Sequence, residues 1–229
     1  MILCLETATS ICSVALTDKE NVISFREINE GFSHAEKLTV FISEVLDEAG
    51  KKIKDVDAVA VSSGPGSYTG LRIGVSVAKG LCMAVDKPLI SISTLEAMAY
   101  GAKEKIGVSN SEILLCPMID ARRMEVYTTL YDMQLNCLNP ASAIIMTEDL
   151  FAEKRIGKAI YYFGDGAEKC KTILESQKEF VFYPGLFPSA KNMAELAIKK
   201  FNYKQFENLS LFEPFYLKEY LPGSGKKED

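Results

Sequence analysis

The sequence predicts an α/β protein, on three observations. Strand-like and helix-like runs alternate along most of the chain, two helical runs open on S-x-x-E capping boxes, and a glycine-rich turn joins a buried-strand pattern to a helix. The 229 residues, 48% hydrophobic and 25% charged, suffice for one large domain or two small ones. Apolar runs are short and interrupted by Gly, Ser or charges, so none reaches the ~20 residues of a membrane-spanning helix. The start Met1-Ile2-Leu3-Cys4 lacks the basic region of a signal peptide, and a cytoplasmic protein is expected.

Ile2 to Leu5, Ile11 to Thr17 and Val22 to Ile28 read as three strands of an antiparallel meander joined by short polar turns. A helix follows, opened by the capping pair Ser33 and Glu36. Leu38, Phe41, Ile42, Val45, Leu46 and Ala49 recur at helical spacing until Gly50 ends the run. Ala58 to Ser62 is a buried-strand pattern. A second helix spans about Gly70 to Val85, a strand runs from Leu89 to Ile92, and a helix from Thr94 to about Lys105 opens on Ser93 and Glu96. The polar stretch Gly107 to Glu112 sets a domain boundary, giving lobes over 1–106 and 107–221. Beyond it, Ile113 to Ile119, Met124 to Tyr131, Ala143 to Met146, Ala159 to Phe163 and Phe180 to Tyr183 read as strands. Helices are expected near Glu148 to Arg155, Ala167 to Leu174 and Ala190 to Phe201, and 222–229 reads as a disordered tail.

The second helix carries small residues in two rows four apart, Gly70, Gly74 and Ala78 on one and Ser76, Gly80 and Ala84 on the other. Mid-helix glycine costs about 1 kcal/mol relative to alanine, so a second backbone is expected to pack close. That backbone belongs either to the chain's own sheet or to a partner. The two rows cannot face the same way, and the row of Ser76, Gly80 and Ala84 is assigned to a partner.

Six scattered cysteines form no C-x-x-C pair and read as buried free thiols. The formal net charge of −5 argues against a stand-alone nucleic-acid binder, though not against a local basic patch. His34 is the only histidine. Placed at a helix start, it is expected to be exposed or partner-facing, and one histidine builds neither a metal cluster nor a nucleophile-base pair.

Leu5-Glu6-Thr7 through Asp18 and Ile119-Asp120-Ala121 through Asp132 align without a gap, each a strand ending in a carboxylate, a turn and a second strand. If this echo reflects duplication, two acid-tipped hairpins face a cleft. Glu6 and Asp120 then either cap turns and pair with Arg72, Arg122 or Arg123, or hold a hydrated magnesium ion. Between them lies the run Ser62-Ser63-Gly64-Pro65-Gly66-Ser67-Tyr68-Thr69-Gly70-Leu71-Arg72-Ile73-Gly74. Its glycines read G-x-G-x-x-x-G and no G-K-[ST] follows, so neither a dinucleotide fingerprint nor a Walker loop is present. Gly66 and Ser67 remain candidates for an anion, against the alternative of a tight strand-to-helix turn.

Leu5-Glu6-Thr7-Ala8-Thr9, the run from Ser62 to Gly74, Ile119-Asp120-Ala121-Arg122 with Glu125-Val126-Tyr127, and Glu213-Pro214-Phe215-Tyr216-Leu217 resemble the TsaB (YeaZ) family in order and spacing. The resemblance implies an actin-like, sugar-kinase-like duplicated fold of two RNase H-like lobes. It also implies a non-catalytic subunit that works with the catalytic TsaD and the ATPase TsaE in threonylcarbamoyl transfer to tRNA adenosine. In TsaD relatives the helix after a strand like Pro88 to Ile92 bears an H-x-x-x-H metal pair, and here Thr94 and Met98 stand at those positions. No cofactor or metal of its own is therefore expected, with ATP or ADP and a metal on the partner proteins. TsaD, TsaE and a second copy are the expected partners, tRNA being reached through the complex. The partner surface is placed on 33–49 and 70–85, with His34, Leu38, Phe41, Ser76, Gly80 and Ala84. An actin-like ATPase or kinase using Glu6, Gly66, Ser67 and Asp120 is the rival reading, and a metallopeptidase a third.

Overall fold

In a computed structural model, residues 1–19, 21–31, 34–107, 110–147, 151–154 and 156–218 are described. Strands β1 (Ile2–Glu6), β2 (Cys12–Asp18) and β3 (Asn21–Ile28) form the expected antiparallel meander. Helix α1 (His34–Glu48) leads to β4 (Ala58–Gly64), α2 (Tyr68–Val85), β5 (Leu89–Ser93) and α3 (Thr94–Ile106). The sheet order is β3-β2-β1-β4-β5, with β4 parallel to both β1 and β5. Because both faces of β1 are covered, its run is apolar from Ile2 to Leu5 rather than alternating, with Glu6 at its end. Leu3 and Leu5 meet the helices α1 and α2, while Ile2 and Cys4 face the opposite layer.

The caps at α2 and α3 explain where those helices start and stop. Ser67 and Ser93 accept hydrogen bonds from the amides of Gly70 and Glu96 at 3.2 and 3.4 Å. Asp86 and Gly107 end the two helices in left-handed conformation. The capping serine expected at Ser33 lies outside the described residues.

The second lobe repeats the first. It contains β6 (Ile113–Asp120), β7 (Glu125–Thr128), β8 (Tyr131–Asp132), β9 (Ser142–Ile145), β10 (Ala159–Phe163), α4 (Lys171–Leu174), β11 (Phe180–Phe182) and α5 (Ala194–Asn202). Its order, β11-β10-β6-β7-β9, matches the first sheet strand for strand when β6 is laid on β1, β7 on β2, β9 on β3, β10 on β4 and β11 on β5. The pairing directions agree as well, so the hairpin echo in the sequence belongs to a duplicated topology. Helix α3 lies between the sheets, and α5 packs on the first. Leu95, Met98 and Ala102 of α3 pack on Ile113, Leu115 and Ile119 of β6, while Leu196 and Ala197 of α5 join Ile2, Ala58 and Ile90 of the first sheet.

Several expected boundaries move. The single strand Met124 to Tyr131 divides into β7 and β8, because the amide of Leu130 leaves the ladder for Asn139 Oδ1 and its carbonyl accepts from Leu138. Residues 151–154 of the helix expected near Glu148 to Arg155 form turns, and 148–150 and 155 lie outside the described residues, as does the 222–229 tail. The helices expected at Ala167 to Leu174 and Ala190 to Phe201 each begin with a 3₁₀ turn. The lobe boundary also changes. Residues 189–215, read as second lobe, return to the first: Ala190 N donates to Ser13 Oγ, Glu207 bridges to Leu89, and Phe215 N donates to Ser63 O at 2.7 Å. A chain of alternating elements gives no local sign that its last helix belongs to an earlier sheet.

Candidate functional site

Glu6 ends β1 with its side chain on the fully covered face. Its Oε1 accepts the amide of Ala8 at 2.6 Å, which closes the turn, and Oε2 is buried without a hydrogen-bond partner among the described residues. Burial pushes the carboxyl up to about 7, with the Ala8 amide and the Ser62 hydroxyl opposing that rise. Of the two readings for Glu6, turn capping is the one observed. No arginine pairs with it among the described residues.

The glycine run packs directly on this turn. A Cβ on Gly66 would strike the carbonyl of Ala8, one on Gly70 the carbonyl of Thr7, and one on Gly74 the Thr7 hydroxyl. Hydrogen bonds fasten the contact: Ser67 N donates to Ala8 O at 2.6 Å and Thr7 Oγ1 to Gly70 O at 2.8 Å. The small residues thus admit a neighbouring backbone, and that backbone is the chain's own.

Asp120 occupies the matching end of β6. Its Oδ1 accepts from Arg122 N at 2.9 Å and pairs with Lys169, which also donates to the carbonyl of Glu125. Asp120 thus caps its turn, as one reading held, and its ion-pair partner is a lysine rather than one of the arginines. The loop after β10 repeats the packing seen after β4, since Gly164 and Gly166 leave no room for a Cβ against Met118, Ile119 and Asp120. Between those glycines Asp165 accepts the amide of Asp120 at 3.4 Å, and burial, aided by the Asp120 charge, pushes its carboxyl up to about 6. No group of three or more His, Cys, Asp or Glu among the described residues is arranged to hold a metal. Thr94 and Met98 are buried, and the Thr94 hydroxyl has no hydrogen-bond partner among the described residues.

The candidate partner residues separate into two groups. His34, Leu38 and Phe41 face inward, which corrects their placement on a surface. His34 is 3% exposed with Nε2 3.2 Å from the carbonyl of Ile11, and the other two belong to the core between α1 and the sheet. On α2 the rows divide as the helix period demands. Gly70, Gly74 and Ala78 are buried, whereas Ser76, Gly80 and Ala84 are exposed beside Met83, itself 72% exposed. A Cβ at Gly80 would meet nothing within 4 Å.

Sequence reading assigned no role to the strap of residues 212–218. Lys79 Nζ donates to Phe212 O at 3.1 Å, and the guanidinium of Arg72 lies 4.0 Å above the Tyr68 ring while its Nε reaches Tyr216 Oη at 3.2 Å. The Tyr68 and Tyr216 rings meet at 4.9 Å with a 40° tilt, and Lys218 pairs with Glu125 of the second lobe. The strap thus runs from α2 across to β7. Its signal was the aromatic pair after Pro214, which finds its meaning only beside Tyr68 and Arg72.

Known proteins share this arrangement. Residues 31–223 match the family model described as TsaD, tRNA N6-adenosine threonylcarbamoyltransferase. The tRNA threonylcarbamoyladenosine biosynthesis protein TsaB of Escherichia coli K12 is 30% identical over 97% of this chain and 98% of its own length. The solved structure of YeaZ from Pseudomonas aeruginosa superposes with a TM-score of 0.83 at 26% identity, covering 94% of this chain and 99% of that one. At 13% identity and a TM-score of 0.52, an activator of 2-hydroxyisocaproyl-CoA dehydratase from Clostridium difficile with bound ADPNP shares the fold, over 90% of this chain and 98% of its own. No helix among the described residues is long and apolar enough to cross a membrane. With the glycine run, both acid-tipped hairpins and matched relatives along nearly its whole length, the chain belongs to the TsaD-type family and, within it, to the TsaB proteins of tRNA threonylcarbamoyladenosine biosynthesis.

Proposed function

We propose that this chain is a non-catalytic subunit that binds and activates TsaD, working with TsaE in the transfer of the threonylcarbamoyl group to N6 of the tRNA adenosine next to the anticodon. The observation that carries this reading is the two-faced helix α2. Its inner row is filled by the chain's own Thr7–Ala8 turn, and its outer row offers Ser76, Gly80 and Ala84 with Met83 to another surface. Small side chains on an exposed face let a second helix approach closely, and an exposed methionine supplies adaptable apolar contact. The same packing of the glycine run weighs against the ATPase or kinase rival, because the Ser67 amide is bonded to Ala8 O and the space over Gly66, Gly70 and Gly74 is filled by Thr7 and Ala8. A second copy of the chain would use the same face, so self-association and TsaD binding should compete.

Gly80→Leu tests the surface. It adds an isobutyl group where the monomer has open space, so the isolated chain should melt normally. The added bulk should hold the partner helices apart at about 1–3 kcal/mol, roughly ten- to hundred-fold in binding constant. Calorimetric titration with TsaD measures this. A normally folded variant with unchanged affinity would place the interface elsewhere.

A further inference from the structure

We propose that Arg122 and Arg123 form a phosphate-docking fork, through which this chain touches the backbone of RNA directly. Both residues occupy the tip of the β6–β7 hairpin, closed by Ala121 N to Glu125 O at 3.0 Å and Glu125 N to Arg122 O at 3.2 Å. Their φ angles are +69° and +49°, the only consecutive pair of left-handed non-glycine residues among the described residues. Such a backbone suits Asn and Gly, and it costs free energy at any residue with an unhelpful side chain. Arginine at both positions makes the turn worse as a turn. What the pair gains is two consecutive, exposed arginines at the hairpin tip.

Neither guanidinium is spent inside the molecule. The acids at the base of the hairpin are already matched, Asp120 by Lys169 and Glu125 by Lys218. Neither Arg122 nor Arg123 makes a side-chain hydrogen bond, ion pair or ring contact among the described residues, and both are exposed. Asp120 instead accepts the backbone amide of Arg122, so the carboxylate fixes the turn and leaves the fork free. A guanidinium fork matches two phosphate oxygens at once, which a lysine ammonium does not. RNA is the polyanion that suits a member of a tRNA-modifying family. With a net charge of −5 the chain has no general attraction for nucleic acid, so the contact must be local.

The inference rests on the proposed assembly with TsaD for its setting, and its test separates the two. R122N/R123G installs the residues that this backbone favours, so the variant should fold with an equal or higher melting temperature while losing both guanidinium groups. Wild type and variant, alone and mixed with TsaD, are titrated against unmodified tRNA over a salt series, with gel filtration reporting assembly independently. The expected result is intact assembly, weaker tRNA binding for any tRNA sequence, and a plot of log K against log salt shallower by about 1 per lost contact. R122K/R123K should keep most of that slope. Unchanged affinity and slope, in the mixture and in the chain alone, would overturn the proposal. So would a variant that fails to assemble while its own tRNA slope is unaltered, since the arginines would then read an acidic protein surface. Should R122N/R123G not fold, Arg123→Glu changes one exposed side chain, and tRNA binding that it leaves unaltered would equally overturn the proposal.

Discussion

Glu6 carries a charge that the surrounding structure disfavours. Its carboxyl lies without solvent at the end of β1, one oxygen bonded to the Ala8 amide and the other unpartnered, and its pKa rises from 4.5 to about 7. Between those values the folded chain binds more protons than the unfolded one. Glu6 therefore costs nothing below about pH 4.5, and stability falls as pH rises towards 7, staying reduced above it. Glu6→Gln keeps an oxygen for the Ala8 amide and removes the charge. Its melting temperature at pH 8 should exceed the wild type's, by the equivalent of about 1–3 kcal/mol, and the difference should vanish towards pH 4.5. A wild-type advantage at pH 8 would show that the ionised form is required. The acid itself was legible in the sequence as a strand-ending residue, but its burial was not, because that depends on the return of residues 189–193 to Ser13 beside it. His34, Leu38 and Phe41 show the same limit. Helical spacing identifies one apolar face, and only the packed sheet decides that the face is spent on the core.

At the scale of elements, the helices and the strands of the first lobe follow from capping serines, apolar runs and glycines whose signals are local. The strap does not. Residues 212–218 contain neither helix nor strand, and their position depends on Arg72 and Tyr68, 144 residues away in the case of Tyr216 and Arg72. Tyr216→Ala removes the ring beside Tyr68 and the hydroxyl at once, at about 1 kcal/mol for partly exposed groups. The amide of Phe215, bonded to Ser63 O, should then exchange hydrogen faster while the amides of β4 and β5 keep their rates. Equal acceleration throughout the sheet would mean that the strap is part of the first lobe's cooperative core. Gly74→Ala probes the opposite case, a close approach inside the lobe. Its methyl group would press on Thr7, so global stability should fall by about 1–3 kcal/mol, in contrast to Gly80→Leu on the outer row. An unchanged melting temperature would show that the turn yields to the added methyl.

On the scale of the whole molecule, the repeated topology was visible as an echo of two hairpins and is shown by the matched strand orders. Each lobe packs its strand-end loop on its own hairpin, Gly66 on Ala8 and Gly164 on Met118. What the molecule does offer is surface: the outer row of α2, the strap beside it and the arginine tip of the second lobe. On the function proposed above, this chain is a subunit whose contribution is binding. Threonylcarbamoyl transfer to tRNA, reconstituted from purified TsaD and TsaE with and without this chain, tests that most directly. Transfer should depend on the chain, while the chain alone turns over no nucleotide. Undiminished transfer after its omission, or steady nucleotide turnover by the chain alone, would contradict the account.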